Sequence, residues 1–520
     1  MFEPSRLLRV FGDIRREEIV TALLMTGTLF LLMAGYYVLK TVREPLILMS
    51  GTGRLSGAEL RSYSGAMQAL VLMVLVPLYG RVAARVPTVK LVIGVTVFFV
   101  VNIQLFALWA WLDLPGIGVA FYIWLGIFNL AVIAQFWSFA NDLYRLESGA
   151  RLFPIIAIGA AAGSPVGAFI TGLLIRDGVD VYRLMQVTAV TLVLCAILIH
   201  AIHRRETVSR PAGASTERPL QLRGGFRLIA RSGYLRLVVV MIILLSVVTR
   251  NGEYMLSRTV LEAAQEQVVE RSEAAIAADG VHATMGRLGG GRADTLPSSP
   301  VDAAADRSGG LAGAMPVSRA TEAVADVVRD AVSAADETLA REIVRDRTRR
   351  FIGGFYGDFY FWVNLLTLLV QGLLVSRLLR VGGMAAVVLL LPVVSLGVYA
   401  IFALGAGFAM IRWAKTAEKV VDYSVMNTAR ALLWLPTTRE EKYNAKLAVD
   451  TFFVRFGGVL TALCVFVAGD LLAWSIPAFA AANVVLALIW LWFAFRVVRE
   501  NRRLQDSVPE VAQSGRDAVH

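Results

Sequence analysis

Twelve apolar runs of about 20 residues each constrain this chain more than any other feature. They lie at about 19–41, 62–80, 91–111, 117–141, 154–175, 182–202, 234–257, 355–376, 384–404, 406–429, 449–469 and 474–495. Each has the length a helix needs to cross a hydrocarbon layer of about 30 Å. Composition agrees, with 57% of the 520 residues apolar and 18% charged, against roughly 45–50% and about 25% in soluble domains. An ordinary soluble enzyme is excluded. The expected fold class is an all-α membrane protein of twelve transmembrane helices in two six-helix bundles, 1–202 and 234–520, joined by a basic cytoplasmic linker over 203–233.

The net charge of +11 does not point to nucleic acid, because the basic residues sit between apolar runs and not on one face of a soluble domain. Their distribution sets the orientation instead. Short loops on one side hold 28 Lys and Arg and those on the other hold 6, so both termini are expected in the cytoplasm of a multi-pass protein of the inner cell membrane. The run after the basic segment Met1 to Glu18 is too long for a signal peptide and lacks a small-residue cleavage site. A segment over 259–350, between spans seven and eight, has soluble composition. It combines a Gly/Ala/Ser/Pro-rich linker over 284–316 with Val324, Val327, Ala331, Ala335, Leu339 and Ile343 at helical spacing, which predicts one amphipathic outer helix.

Several chemistries find no support. Cys195 and Cys464 lie inside apolar runs and His200, His203, His282 and His520 are scattered, so no disulfide framework, zinc site or other metal site is indicated and no cofactor is expected. The run Gly51 to Gly57 lacks the Lys and Ser/Thr of a phosphate loop. The spacing Gly159, Gly163, Gly167 predicts a smooth face for close helix contact, with Pro165 bending that helix.

Charges within spans are the informative residues, because each costs about 2.5–3.5 kcal/mol near the bilayer centre and so faces a partner or a watery cavity. Span one ends with Lys40 and Glu44 one helical turn apart, which predicts that they pair and leave Arg43 a spare cation. Span four ends with Asn141 and Asp142, and span seven contains Arg250, Asn251, Gly252 and Glu253. Span ten carries Arg412, Lys415, Lys419 and Asp422 on one helical face, with Glu418 between them and Asn427 and Arg430 beyond. Three cations against one carboxylate predict a groove for an anion. Tyr36, Tyr37, Trp137, Tyr254, Trp413, Tyr423 and Trp434 lie nearby, as base-stacking platforms or, more commonly, as helix packing. The halves echo one another: Ser138 and Asn141 in span four match Ser424 and Asn427 in span ten, and Arg43-Glu44 matches Arg250 and Glu253. Internal repeats of this kind build central sites in transporters.

These stretches resemble the nucleotide (ATP/ADP) translocases of plastids and intracellular bacteria and their free-living bacterial relatives, which have the major facilitator fold. The similar parts are Tyr36 to Leu48, Phe136 to Gly167 (Phe136-Trp-Ser-Phe-Ala-Asn141, then Arg151-Leu-Phe-Pro154), Arg250 to Arg258 and Ala417 to Gly458. The resemblance implies a monomer in the lipid bilayer that exchanges anionic small molecules, ATP and ADP among them, by alternating access. It places charges implicated in exchange at Arg43, Asp142, Glu253 and Arg430. Where the exchangers carry a Lys-Glu pair, this chain has Arg430-Ala431, and a planar guanidinium is not equivalent to an ammonium at an oxyanion. The candidate substrate-binding set is Lys40, Arg43, Asn141, Asp142, Asn251, Glu253, Arg412, Lys415, Lys419, Asp422, Asn427 and Arg430. The alternative is a proton-coupled transporter of another organic anion or a drug, with Asp142, Glu253 or Asp422 carrying the proton. A non-transporting scaffold or a membrane enzyme ranks last, because no histidine lies near the polar spans.

Overall fold

The structure is a computed structural model and describes residues 18–53, 55–83, 85–144, 146–207, 222–289, 317–438 and 440–517. Six helices form the N-terminal half: α1 (Ile19–Leu48), α2 (Gly57–Ala83), α3 (Thr88–Trp111), α4 (Ile117–Leu143), α5 (Leu146–Arg176) and α6 (Val181–Thr207). A short helix, α7 (Leu222–Arg231), lies within the basic linker. The C-terminal half comprises α8 (Gly233–Gly289), α9 (Val317–Leu373), α10 (Val375–Ala403), α11 (Phe408–Val421, continuing to Leu432), α12 (441–471) and α13 (Ile476–Asp517). Leaving out α7, the helices match the twelve apolar runs in order.

Ten of them are long and apolar enough to cross a membrane among the described residues. The other two, α9 and α11, fall short because polar residues dilute them. Asp358, Asn364 and Gln371 dilute α9, and Arg412, Lys415, Glu418, Lys419 and Asp422 dilute α11. Helices that polar along one side must turn that side away from lipid.

The chain divides into two compact units, one of Met1–Glu262 with Arg350–His520 and one of Ala263–Arg349. Within the latter the residues expected to be helical form the first part of α9, which starts at Val317, and α8 runs on to Gly289. Ala, Glu and Gln follow Arg258 with no Pro or Gly stop until Gly280, so propensity carries the helix past the last apolar turn. Most of the expected linker, 290–316, lies outside the described residues.

Packing in the N-terminal half follows the glycines. A Cβ on Gly159, Gly163 or Gly167 would lie 2.2 Å from the Thr26 carbonyl oxygen, 2.3 Å from that of Phe30 and 2.3 Å from that of Ala34. The three glycines thus let α5 lie directly on the α1 backbone, as their spacing predicts. Replacing Gly163 with Leu should force the helices apart, lowering stability by about 3 kcal/mol and the melting temperature of the detergent-purified protein with it. Unchanged melting would mean that α1 and α5 do not meet there. In α10, Gly383 (φ 60°) breaks the helix where the ninth apolar run begins.

Candidate functional site

Span one sets the centre of the site. Glu44, 0% exposed, accepts hydrogen bonds from its neighbour Arg43, from Arg61 Nε on α2 at 2.9 Å and from the Tyr360 hydroxyl on α9 at 2.7 Å. Arg61 Nη2 continues to Glu253 Oε2 on α8, 3.6 Å away, and the other Glu253 oxygen pairs with Lys419 of α11. Lys419 Nζ also stands 3.9 Å from Asp422 Oδ2. Arg43, Glu44, Arg61, Glu253, Lys419 and Asp422 therefore form one file of alternating charge from the N-terminal half into the C-terminal half. Its three cations and three carboxylates balance.

This corrects the pairing expected at the end of span one. Glu44 does not take Lys40; it turns toward Arg61, whose planar fork reaches in from α2. Lys40, 8% exposed, is instead ringed by aromatic faces, with its Nζ 4.3 Å from the Tyr360 ring centroid, 4.7 Å from Tyr37, 5.8 Å from Tyr423 and 5.9 Å from Tyr36. Ring quadrupoles attract a cation at such distances.

The single cationic groove expected along span ten is also corrected, because each of its cations meets an acid. Lys415 pairs with Glu418, which accepts further bonds from Ser395 Oγ at 2.9 Å and from the Tyr399 hydroxyl. Gly252 makes room for this buried group: a Cβ there would lie 2.3 Å from the Tyr399 hydroxyl and 2.4 Å from Lys415 Nζ. Arg412 lies 3.4 Å from Asp358 Oδ2, and Asp358 also pairs with Arg176 of α5. One helical face therefore delivers its charges to three different neighbours.

The other candidates lie apart from this file. Asn251 is buried and donates to Asn483 Oδ1 at 3.0 Å, tying α8 to α13. Asp142, exposed at the end of α4, accepts a bond from Thr88 of α3, and Asn141 beside it is exposed, as is Asn427 on α11. Arg430 is half-buried and its Nε, shielded from solvent, has no partner among the described residues. Most of the aromatics pack: Trp137 against Phe136 and Phe153, Tyr254 against Phe479, and Trp413 against Trp362.

Residues that sequence reasoning passed over are Arg61, Tyr360, Asp358, Arg176 and Arg455. Arg61 and Arg176 had been counted only as loop cations. Arg455 is a charge inside an apolar run, so the rule that found the others would have found it. Its Nε and Nη1 are shielded and without a partner among the described residues.

Contacts between the halves gather at one end of the bundle. Tyr63 bonds to Asp470, Arg176 to Asp358, Phe169 meets Phe361 with ring centroids 5.0 Å apart, and Ile175 lies against Gly353. The bare backbones of Gly172 and Gly357 touch, since a Cβ on Gly357 would lie 2.4 Å from the Gly172 Cα. This is the end that bears the connections between α1 and α2, α5 and α6, and α12 and α13.

No protein-family model matches the chain, nor does any curated protein. Solved structures do match it. The crystal structure of the nucleoside transporter NupG aligns with a TM-score of 0.58 at 12% identity, covering 92% of this chain and 98% of that one. A POT family transporter in complex with 5-aminolevulinic acid aligns at 0.55 and 11%, covering 91% and 96%. A bacterial homologue of the iron transporter ferroportin, in an inward-facing state, aligns at 0.55 and 12%, covering 93% and 99%. At such identities the likeness establishes the fold alone: a multi-pass, all-α membrane protein.

Proposed function

We propose that the chain is an alternating-access secondary transporter of a phosphate-bearing anion, a nucleotide or a related phosphorylated metabolite. One observation carries the anionic substrate: Arg250, Arg430 and Arg455 lie within the C-terminal half with no carboxylate inside 4.0 Å among the described residues. Cations among membrane helices that lack a close ion-pair partner are costly, and a site that receives its counter-charge from the substrate explains their retention. The neighbours of the fold, among them a nucleoside transporter and a POT family transporter, are in keeping with this reading.

The balanced file from Arg43 to Asp422 then has a different role from that of a substrate seat. It is a gate, holding the halves together at one end through partners that can be exchanged when the halves rock. With both termini cytoplasmic, the closed end is the outer one, and the three arginines are reached from the cytoplasm.

Vesicles of the reconstituted protein loaded with ADP test the proposal against labelled ATP, ADP, phosphosugars and inorganic phosphate outside. Uptake should require an internal anion. Arg430→Ala should lower it about tenfold or more, as expected where one charge-assisted contact is lost, while adenosine fails to compete. Uptake of every anion at the level of empty vesicles would overturn the proposal.

A further inference from the structure

Arg250 on α8 and Arg455 on α12 stand where their two helices meet. The helices cross closely there, because a Cβ on Gly457 would lie 2.5 Å from Ser246 Cβ, and one on Gly458 would lie 3.5 Å from Arg250 Nη1. Arg250 is thereby held against the α12 backbone within a turn of Arg455, and the two guanidinium charges act on each other. Glu253 is the acid within electrostatic reach of Arg250, but Lys419 and Arg61 already engage it. For Arg455 no acid plays that part among the described residues, and two of its nitrogens have no acceptor. Two neighbouring like charges, partly removed from water and with no carboxylate in direct contact among the described residues, are what folding alone disfavours.

We propose that Arg250 and Arg455 form a two-guanidinium seat for a dianionic phosphoryl group of the transported molecule. This rests on the transporter reading and gives it a location. Guanidinium forks match phosphate oxygens in bidentate fashion. Two of them neutralise a dianion, whereas a monocarboxylate would leave one positive charge unmatched. The seat therefore selects phosphate esters and diphosphates over monocarboxylates, with Gly457 and Gly458 keeping the α12 backbone clear of Arg250.

The test uses the full-length protein in detergent at fixed ionic strength, with pyrophosphate, ADP and adenosine as probes and ligand-induced stabilisation as the readout. Pyrophosphate and ADP should raise the melting temperature and adenosine should not. Arg250→Gln and Arg455→Gln should each weaken pyrophosphate binding about tenfold or more. Without ligand, both variants should melt no lower than the wild type, because one of two repelling charges is gone. Arg455→Lys, which keeps the charge and loses the fork, guards against misfolding of the glutamine variants and should also bind more weakly. Wild-type affinity for pyrophosphate in these variants overturns the seat. If they bind ADP as well as the wild type does, the seat fails and nucleotide transport stands. If the wild type responds to pyrophosphate but not to ADP, the seat stands and nucleotide is the wrong substrate. A wild type that responds to neither removes the seat.

Discussion

Glu44→Gln should be the most damaging single-charge substitution in the protein, lowering its stability by about 3–5 kcal/mol, the range for a buried ion pair stripped of one partner. The carboxylate is fully buried and answers two guanidinium groups and a phenol at once. Glutamine keeps the size but leaves Arg43 and Arg61 facing each other in a low-dielectric interior with only Glu253, 3.6 Å from Arg61, to offset them. Glu253→Gln should cost clearly less, because that side chain is 28% exposed and Lys419 retains Asp422 as an alternative partner. Melting curves in detergent would rank the two. The double variant Glu44→Gln with Arg61→Gln should recover part of the loss, since the second change removes a charge that the first orphaned, and the two sites are in contact and so do not add. A Glu44→Gln protein that melts like the wild type would mean that the file of charges does not hold the halves together.

Hydropathy alone made the architecture legible. Twelve runs became twelve helices, the glycines of α5 found the α1 backbone, and the break at Gly383 fell where a run begins. Helix periodicity says which residues share a face, and Arg412, Lys415 and Lys419 do share one. It says nothing about what that face meets. Asp358, Glu418 and Glu253 neutralise those three cations from separate directions, two of them from other helices. For the same reason the rule linking residues one turn apart misassigned Lys40: it compares neighbours along one helix and cannot weigh Arg61 or Tyr360, which arrive from α2 and α9. Arg61 was missed because it begins its span and reads as a loop residue. That α8 and α9 continue into the insertion was not legible, because the loss of apolar periodicity after Arg258 marks where lipid ends, which is not where helical propensity ends.

A covalent tie between α5 and α9 should abolish transport reversibly, and the geometry chooses the pair. A Cβ built on Gly353 lies 3.4 Å from Ile175 Cβ, close to the roughly 3.5–4.5 Å that disulfides span. The close contacts of that new atom with the outer Ile175 atoms disappear when Ile175 is itself replaced by Cys. With Cys195→Ala and Cys464→Ala as background, Ile175→Cys and Gly353→Cys should lose their free thiols on mild oxidation, as counted by maleimide labelling. Anion uptake should fall to the level of empty vesicles and return on reduction, since rocking of the halves requires this end to open. Pyrophosphate binding in detergent should survive oxidation, because the proposed seat at Arg250 and Arg455 lies away from the Ile175–Gly353 contact. Loss of both activities on oxidation would indicate a distorted fold rather than a locked one. Full transport after complete loss of the thiols would show that the end joined by Arg176 and Asp358 never parts during the cycle, and alternating access about this interface would then be wrong.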